Sequence, residues 1–313
     1  MVTALMADEK YREHLMGCHG HPERPERYDA VMNALAGAGL VETLLRVPSR
    51  DATEDELILC HAPEYLRIVK SDVQSGRPYL STGDTDITSN SRDVALRAVG
   101  GGLNAVDAVC GGQARNAFCA VRPPGHHANA NRGMGFCLFN NVAIAARYAQ
   151  RRHGVARVMI VDWDVHHGNG TQDIFYADPS VFFFSSHQWP LYPGTGRADE
   201  TGEGPGAGAT MNFPLPAGSG RAQVLGAVEN ALVPAAEKFR PELLLISAGF
   251  DSRIGDLLGQ FTLTDQDFAD LTRVVMEIAD RHAGGRVVSM LEGGYSLDGL
   301  GSAAAAHVAA LAG

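Results

Sequence analysis

A chain of 313 residues that is 45% hydrophobic and 20% charged has ample length to bury a core without disulfide staples, and its composition excludes a disordered tail or a fibrous repeat. A net charge of −10, with no basic run anywhere, removes the electrostatic footprint of a nucleic-acid binder. Cys18, Cys60, Cys110, Cys119 and Cys137 form no CxxC pair, so neither a disulfide framework nor a thiolate zinc site is expected, and the absence of a long uncharged apolar run points to a cytoplasmic protein that does not engage a membrane.

In chain order, Pro25 stands at a first helical position ahead of ERYDAVMNAL, and SRDVALRAVGGGLNAVDAV (91–109) reads as a long helix with a Gly-rich middle. AFCAVRPPGHHA (117–128) is the first of four segments in which a short β-rich apolar run stops abruptly in a loop of Gly, Pro and polar residues. Asn141 is placed to cap VAIAARYAQRR, which ends at Gly154; RVMIVDWDVHHGNG (157–170) repeats the strand-and-loop pattern, and VFFFSSHQWP (181–190) adds a further run. The Gly-rich stretch 194–208 reads as an ordered surface loop, not a hinge, so residues 1–313 are expected to form one domain. ELLLISAGFDS (242–252) follows, Thr264 caps DQDFADLTRVVMEIADRH, and RVVSMLEGGYS (286–296) is the last such segment. Each apolar run is continuous, as strands buried on both faces are, and their alternation with helices predicts βαβ units and an α/β fold with a parallel sheet wrapped by helices.

In an open parallel sheet, ligands bind beyond the carboxyl ends of the strands. Those loops carry His126 and His127, then Asp162, Asp164, His166, His167 and Asn169, then Asp251, then Glu292 and Tyr295. Asp164 and His166, two apart on extended backbone, project to one face and can converge on a metal, with Asp251 the candidate third ligand; two carboxylates and an imidazole suit a divalent ion with an open position. Taken alone, D-x-H reads equally well as a turn with a satisfied histidine. Adjacent imidazoles in a Pro/Gly loop suggest proton transfer or metal binding, and Tyr295 after Gly293 and Gly294 is either an oxyanion donor or an aromatic lid.

Together, RPPGHHA, GFCLFNN, VDWDVHHGNGTQ, SAGFDS and LEGGYS, with HPERPER (21–27) and YPGTG (192–196), resemble the zinc-dependent histone deacetylase family, including its bacterial amidohydrolase and acetylpolyamine amidohydrolase members. The resemblance implies an arginase/deacetylase fold, a parallel sheet of about eight strands flanked by helices on both faces. It implies Zn²⁺, with Fe²⁺ also compatible, on Asp164, His166 and Asp251, a proton shuttle at His127, a tuning role for His126 bonded to Asp162, and an oxyanion donor at Tyr295. Gly135, Phe136, Tyr192 and Gly294 would shape a tunnel for an aliphatic amine. Asp162, Asp164, His166, Ser185 and Ser186 would hold K⁺, with Phe175, Asp178 and Val181 lining a second monovalent site. Asp84 and Asp86 would stand at the rim, and Arg24 would gate an internal channel, although a solvated helix-start arginine is the competing reading.

Two positions depart from the pattern. Tyr192 stands where the family commonly has Phe, which alters the polarity of the tunnel. Asn169 stands where some branches carry Asp, which withholds a negative charge from His127 and predicts a ring less readily protonated. The expected activity is hydrolysis of an acetyl amide on a primary amine, with acetyl-lysine in peptides or proteins ahead of acetylated polyamines. A ureohydrolase would need more bridging carboxylates than can be placed, a non-catalytic acyl-lysine binding module would tolerate loss of His127 or Tyr295, and GEGPGAG (202–208) does not clearly join a strand to a helix as a dinucleotide site would.

Overall fold

The computed structural model describes residues 2–313. Eight strands form one all-parallel sheet: β1 (Thr3–Met6), β2 (Leu45–Arg46), β3 (Asn116–Cys119), β4 (Val158–Asp162), β5 (Val181–Gln188), β6 (Thr210–Leu215), β7 (Leu243–Ala248) and β8 (Val287–Leu291), in the spatial order β2-β1-β3-β8-β7-β4-β5-β6. The inner strands are buried along their whole length, as their continuous Val, Ile, Leu and Phe runs require. In register, Asp162 lies level with Ser185 on one side and Ser247 on the other.

Ten α-helices connect and cover the sheet: α1 (Glu26–Gly37), α2 (Glu54–Leu57), α3 (Pro63–Gln74), α4 (Ser91–Cys110), α5 (Asn141–His153), α6 (Asn169–Phe175), α7 (Arg221–Ala227), α8 (Val233–Phe239), α9 (Asp265–His282) and α10 (Leu297–Ala312). On β8, Ser289 bonds His307 of α10, while the next residue, Met290, meets Gly102 of α4. Consecutive strand residues point to opposite faces, so α10 and α4 cover opposite sides of the sheet. The Gly-rich middle of α4 is explained by this packing: a Cβ on Gly101 would come within 2.9 Å of Met6 Cε, and one on Gly102 within 2.8 Å of Met290 Cε.

The start of α5 is set by Asn140, whose side chain accepts from the Ala143 N–H at 3.0 Å; Asn141, the expected cap, is the first helical residue and donates instead to the Pro123 carbonyl. Pro25 directly precedes α1, whose first residue is Glu26. Thr264 caps α9 as expected, in a reciprocal pair with Asp267. The stretch 194–208 contains one short 3₁₀ turn and is fixed by backbone bonds such as Glu203 N–H to the Tyr176 carbonyl.

Candidate active site

Because every strand runs the same way, the loops after β3, β8, β7 and β4, which are neighbours in the sheet, emerge side by side at one edge. They bring together the His126–His127 pair, Tyr295, Asp251, and Asp164 with His166. β4 ends at Asp162, so Asp164 and His166 do not converge through extended backbone as the spacing suggested. The chain bends instead, with Asp164 Oδ1 accepting from the His166 backbone N–H at 2.9 Å and lying 3.0 Å from His166 Nδ1.

One ligand atom from each of Asp164, His166 and Asp251 lies within 4.8 Å of the others, and all three residues are buried. Backbone amides orient the carboxylates: Gly293 N–H donates to Asp164 Oδ2 and Val165 N–H to Asp251 Oδ1, both at 2.8 Å. Asp251 Oδ2 sits 3.2 Å from His166 Nδ1 without an aligned hydrogen bond, leaving a buried oxygen free to bind a cation. A Cβ at Gly293 would approach that oxygen to 2.0 Å, so only glycine lets the loop after β8 pass this close. Two buried carboxylates and an imidazole aimed at one point fit a divalent cation.

The two adjacent histidines are driven apart in proton affinity by their neighbours. His126 Nδ1 lies 2.9 Å from Asp162 Oδ2. Burial opposes its charge, but the Asp162, Asp164 and Glu292 carboxylates outweigh burial and hold its proton affinity well above the ordinary histidine value. For His127, burial and then the positive charge of His126 push the proton affinity well below that value. His127 Nδ1 donates to Asn169 Oδ1 at 2.8 Å, which fixes the tautomer and leaves Nε2 as the ring's acceptor.

A cavity of about 370 Å³ leads to this cluster, with His127, His166 and Tyr295 at its inner end and Phe136, Tyr192 and Leu258 along its walls. Phe136 meets Tyr295 edge-on at 5.8 Å, and Tyr192 meets His127 edge-on at 5.2 Å. Gly135 is wedged between His127 and Tyr192, where a Cβ would come within 2.4 Å of the imidazole. A larger groove of about 510 Å³ lies elsewhere, lined mostly by Pro, Ala, Gly and Phe with Lys238 at its edge, and it brings together no cluster of chemistry-bearing side chains.

Several expected positions fall differently. Gly294 does not line the cavity; its carbonyl accepts from Arg27 Nε at 2.6 Å, behind Tyr295. Arg24 is half-buried, two residues before α1, and far less enclosed than Arg27, which is fully buried, stacks on the Tyr295 ring at 4.8 Å, and also donates to the Glu292 carbonyl. Arg27 and the equally buried Arg122 share Glu23, so the internal arginine pair is Arg27 and Arg122, with Arg24 outside it. At the rim, Asp84 lines the cavity, whereas Asp86 pairs with His21 at 3.0 Å. Ser185 and Ser186 adjoin Asp162 in the sheet, and the Ser186 hydroxyl is buried without a partner. Near Phe175, Asp178 and Val181, the Arg147 guanidinium already covers the Phe175 ring and pairs with Asp178.

In sequence, Glu292 stands out as a polar residue after the last strand but without a role, and Asp256 and Leu258 escape sequence reasoning. Glu292 accepts from the Gly125 and His126 N–H groups and from the Ser247 hydroxyl, fixing the loop that carries both histidines; burial pushes its carboxyl up to about 7. Asp256 accepts from the Tyr295 and Ser296 N–H groups, holding the tyrosine in place. Leu258 is one apolar residue among many in sequence and acquires meaning through its position on the wall.

Residues 21–311 match the family model described as Histone deacetylase domain. The chain is 40% identical over 302 residues to a probable deacetylase of Archaeoglobus fulgidus, covering 96% of this chain and 83% of that protein. It is 43% identical to the human polyamine deacetylase HDAC10, covering 93% of this chain and 44% of that longer protein, and 40% identical to the histone deacetylase-like amidohydrolase of Pseudomonas aeruginosa, covering 88% and 73%. Among solved structures, the HDA15 HD domain superposes with a TM-score of 0.93 at 38% identity, covering all of this chain and 89% of that one.

Proposed function

The chain belongs to the histone deacetylase family and is a hydrolase of acetyl amides, and we propose that its substrate is an acetylated lysine side chain in a peptide or protein. The observation that carries this reading is the convergence of His127, Tyr295 and the Asp164, His166 and Asp251 cluster at the inner end of one narrow apolar cavity.

Asp164, His166 and Asp251 would hold a divalent ion, which we assign as Zn²⁺, with Fe²⁺ compatible with the same oxygen-rich set. Such an ion supplies polarisation of the acyl carbonyl and acidification of the attacking water. His127, neutral and with Nε2 free, takes the proton from that water and then delivers it to the departing amine nitrogen. His126, held beside Asp162, keeps a positive charge next to the shuttle. The Tyr295 hydroxyl donates to the oxyanion that develops on the acyl oxygen, its ring covered by Arg27 and its backbone N–H held by Asp256. Phe136 and Tyr192 enclose the methylene stem and exclude water. We assign the carbonyls around Asp162, Asp164, His166, Ser185 and Ser186 to a structural K⁺.

A polyamine substrate is the second reading, favoured by the human relative's name and by acids at the rim. Those acids also serve the rim itself, Asp86 by bonding His21 and Asp84 by bonding Gly135 and Tyr192, so their presence is accounted for without a distal ammonium. Deacetylation kinetics of the metal-loaded protein on an acetyl-lysine peptide and on N-acetylputrescine test both readings. The expected result is a higher kcat/KM for the peptide, a loss of about 10²-fold or more in kcat for Tyr295→Phe, and a comparable or larger loss for His127→Ala. Retained activity in both variants would overturn the mechanism.

A further inference from the structure

The loop after α3 carries two carboxylates two residues apart, and together they reach three separate segments of the cavity mouth. Asp84 Oδ1 accepts from the Gly135 N–H at 2.9 Å, and Asp84 Oδ2 accepts from the Tyr192 hydroxyl at 3.1 Å. One carboxylate therefore ties two segments of the mouth together, Gly135, which leads into the Phe136 wall, and Tyr192, both of which line the cavity. Asp86 bonds His21, whose ring rests edge-on against Phe136 at 5.0 Å. Gly135 and Phe136 both adopt left-handed backbone, with φ of 55° and 68°, a conformation that a phenylalanine keeps only when its neighbours hold it. A phenylalanine at position 192 would fill the same wall but could not reach Asp84.

We propose that Asp84 and Tyr192 form a clasp across the mouth of the cavity that fixes its width and makes the enzyme selective for slim, unbranched amine stems. The inference rests on the deacetylase reading of the site. Each carboxylate oxygen receives one donor, one from the Gly135 segment and one from the Tyr192 segment, so moving the two segments apart breaks a charge-assisted hydrogen bond. Burial and the Asp84 charge both raise the proton affinity of the Tyr192 phenol, which keeps the hydroxyl protonated and able to donate. Tyr192 and Asp84 act here as specificity-determining and positioning residues, apart from the proton transfers at His127 and Tyr295.

The test is a double-mutant cycle of wild type, Tyr192→Phe, Asp84→Ala and the double variant, each metal-loaded. The primary readout is the ratio of kcat/KM for an acetylated linear alkylamine to that for acetylated cyclohexylmethylamine, whose ring must pass the mouth. Wild type is expected to favour the linear substrate, each single variant to lower that preference by about threefold or more, and the double variant to lower it no further than the singles. An unchanged preference, or single effects that simply multiply, overturns the clasp. If wild type cleaves neither acetamide, thermal unfolding of the same four proteins decides the clasp, non-additive shifts supporting it and additive shifts refuting it, while the deacetylase reading itself is judged separately on the acetyl-lysine peptide.

Discussion

At the scale of single residues, the site works because adjacent, chemically identical groups are given different tasks by their partners. His126 faces a carboxylate and His127 faces an amide, so the proton is held at one ring and left transferable at the other. Asn169→Asp would place a negative charge 2.8 Å from His127 Nδ1 and raise the proton affinity of that ring. A general base works only when unprotonated, so the acid limb of the kcat/KM profile is expected to move to higher pH, by about one unit. A pH–rate profile of the variant on the acetyl-lysine peptide checks this, and an unmoved limb would sink the tuning role of position 169. The histidines and acids of this cluster were legible in sequence because each follows directly on an apolar strand. Glu23, Arg27 and Arg122 were not read as a unit, because the salt-bridged cluster is assembled from positions 99 residues apart, and no local spacing announces a partner at that distance.

At the scale of elements, the loop from Trp189 to Glu200 gives the Tyr192 wall its position, and it is anchored at its far end to residues beside the site. Thr195 Oγ1 bonds His167 Nδ1, the Gly196 carbonyl accepts from His187 Nε2, and Glu200 receives both the Gly196 N–H and Gln172 Nε2. Gly196 has φ of 91°, and a Cβ there would lie 2.5 Å from His187 Nε2 and 2.6 Å from the His167 ring. Gly196→Ala therefore combines backbone strain with a clash against two packed imidazoles, and an unfolding free energy lower by about 2 kcal/mol is expected. Because the displaced loop carries a cavity wall, KM should rise more than kcat falls; urea unfolding combined with steady-state kinetics reads both effects. The strands β3, β4, β5, β7 and β8 were visible in sequence as continuous apolar runs ending in polar loops, and the cap at Thr264 was visible ahead of its helix. Strand β1, with four residues, and β2, with two, are too short for a periodic signal, and the ALM and LR segments become strands only by pairing with β3 and β1. The cap of α5 slipped from Asn141 to Asn140 because two consecutive asparagines offer the same chemistry and only tertiary contacts choose between them.

At the scale of the whole molecule, the sheet is closed on both faces by helices, and several histidines are sealed inside it as neutral groups. Burial pushes His14 and His307 down to about 3 and His61 down to about 4. Above the ordinary histidine range, these rings are neutral whether the chain is folded or not and leave stability independent of pH. As pH falls below about 6.5, the unfolded chain takes up protons that the folded one refuses, and each such group removes about 1.4 kcal/mol of stability per pH unit until its folded value is reached. Buried Glu292, pushed up to about 7, works in the opposite direction, since the folded state binds its proton first between about 7 and the ordinary glutamate value. Substitution at one histidine isolates a single contribution from this mixture. His307 is suited to it, because it lies on α10 away from the cavity, between Thr272 and Ser289. The Thr272 hydroxyl donates to the Phe268 carbonyl, so it accepts from His307 Nδ1–H, and Nε2 is left to accept from Ser289. A glutamine there keeps a donor and an acceptor but cannot titrate. His307→Gln is expected to be less stable than wild type at pH 7, yet to lose stability between pH 6 and pH 4 less steeply, by about 1.4 kcal/mol per unit. Urea unfolding across that range measures the slope; parallel curves for the two proteins would mean that His307 is protonated in the folded state and that the core behind the site carries a charge.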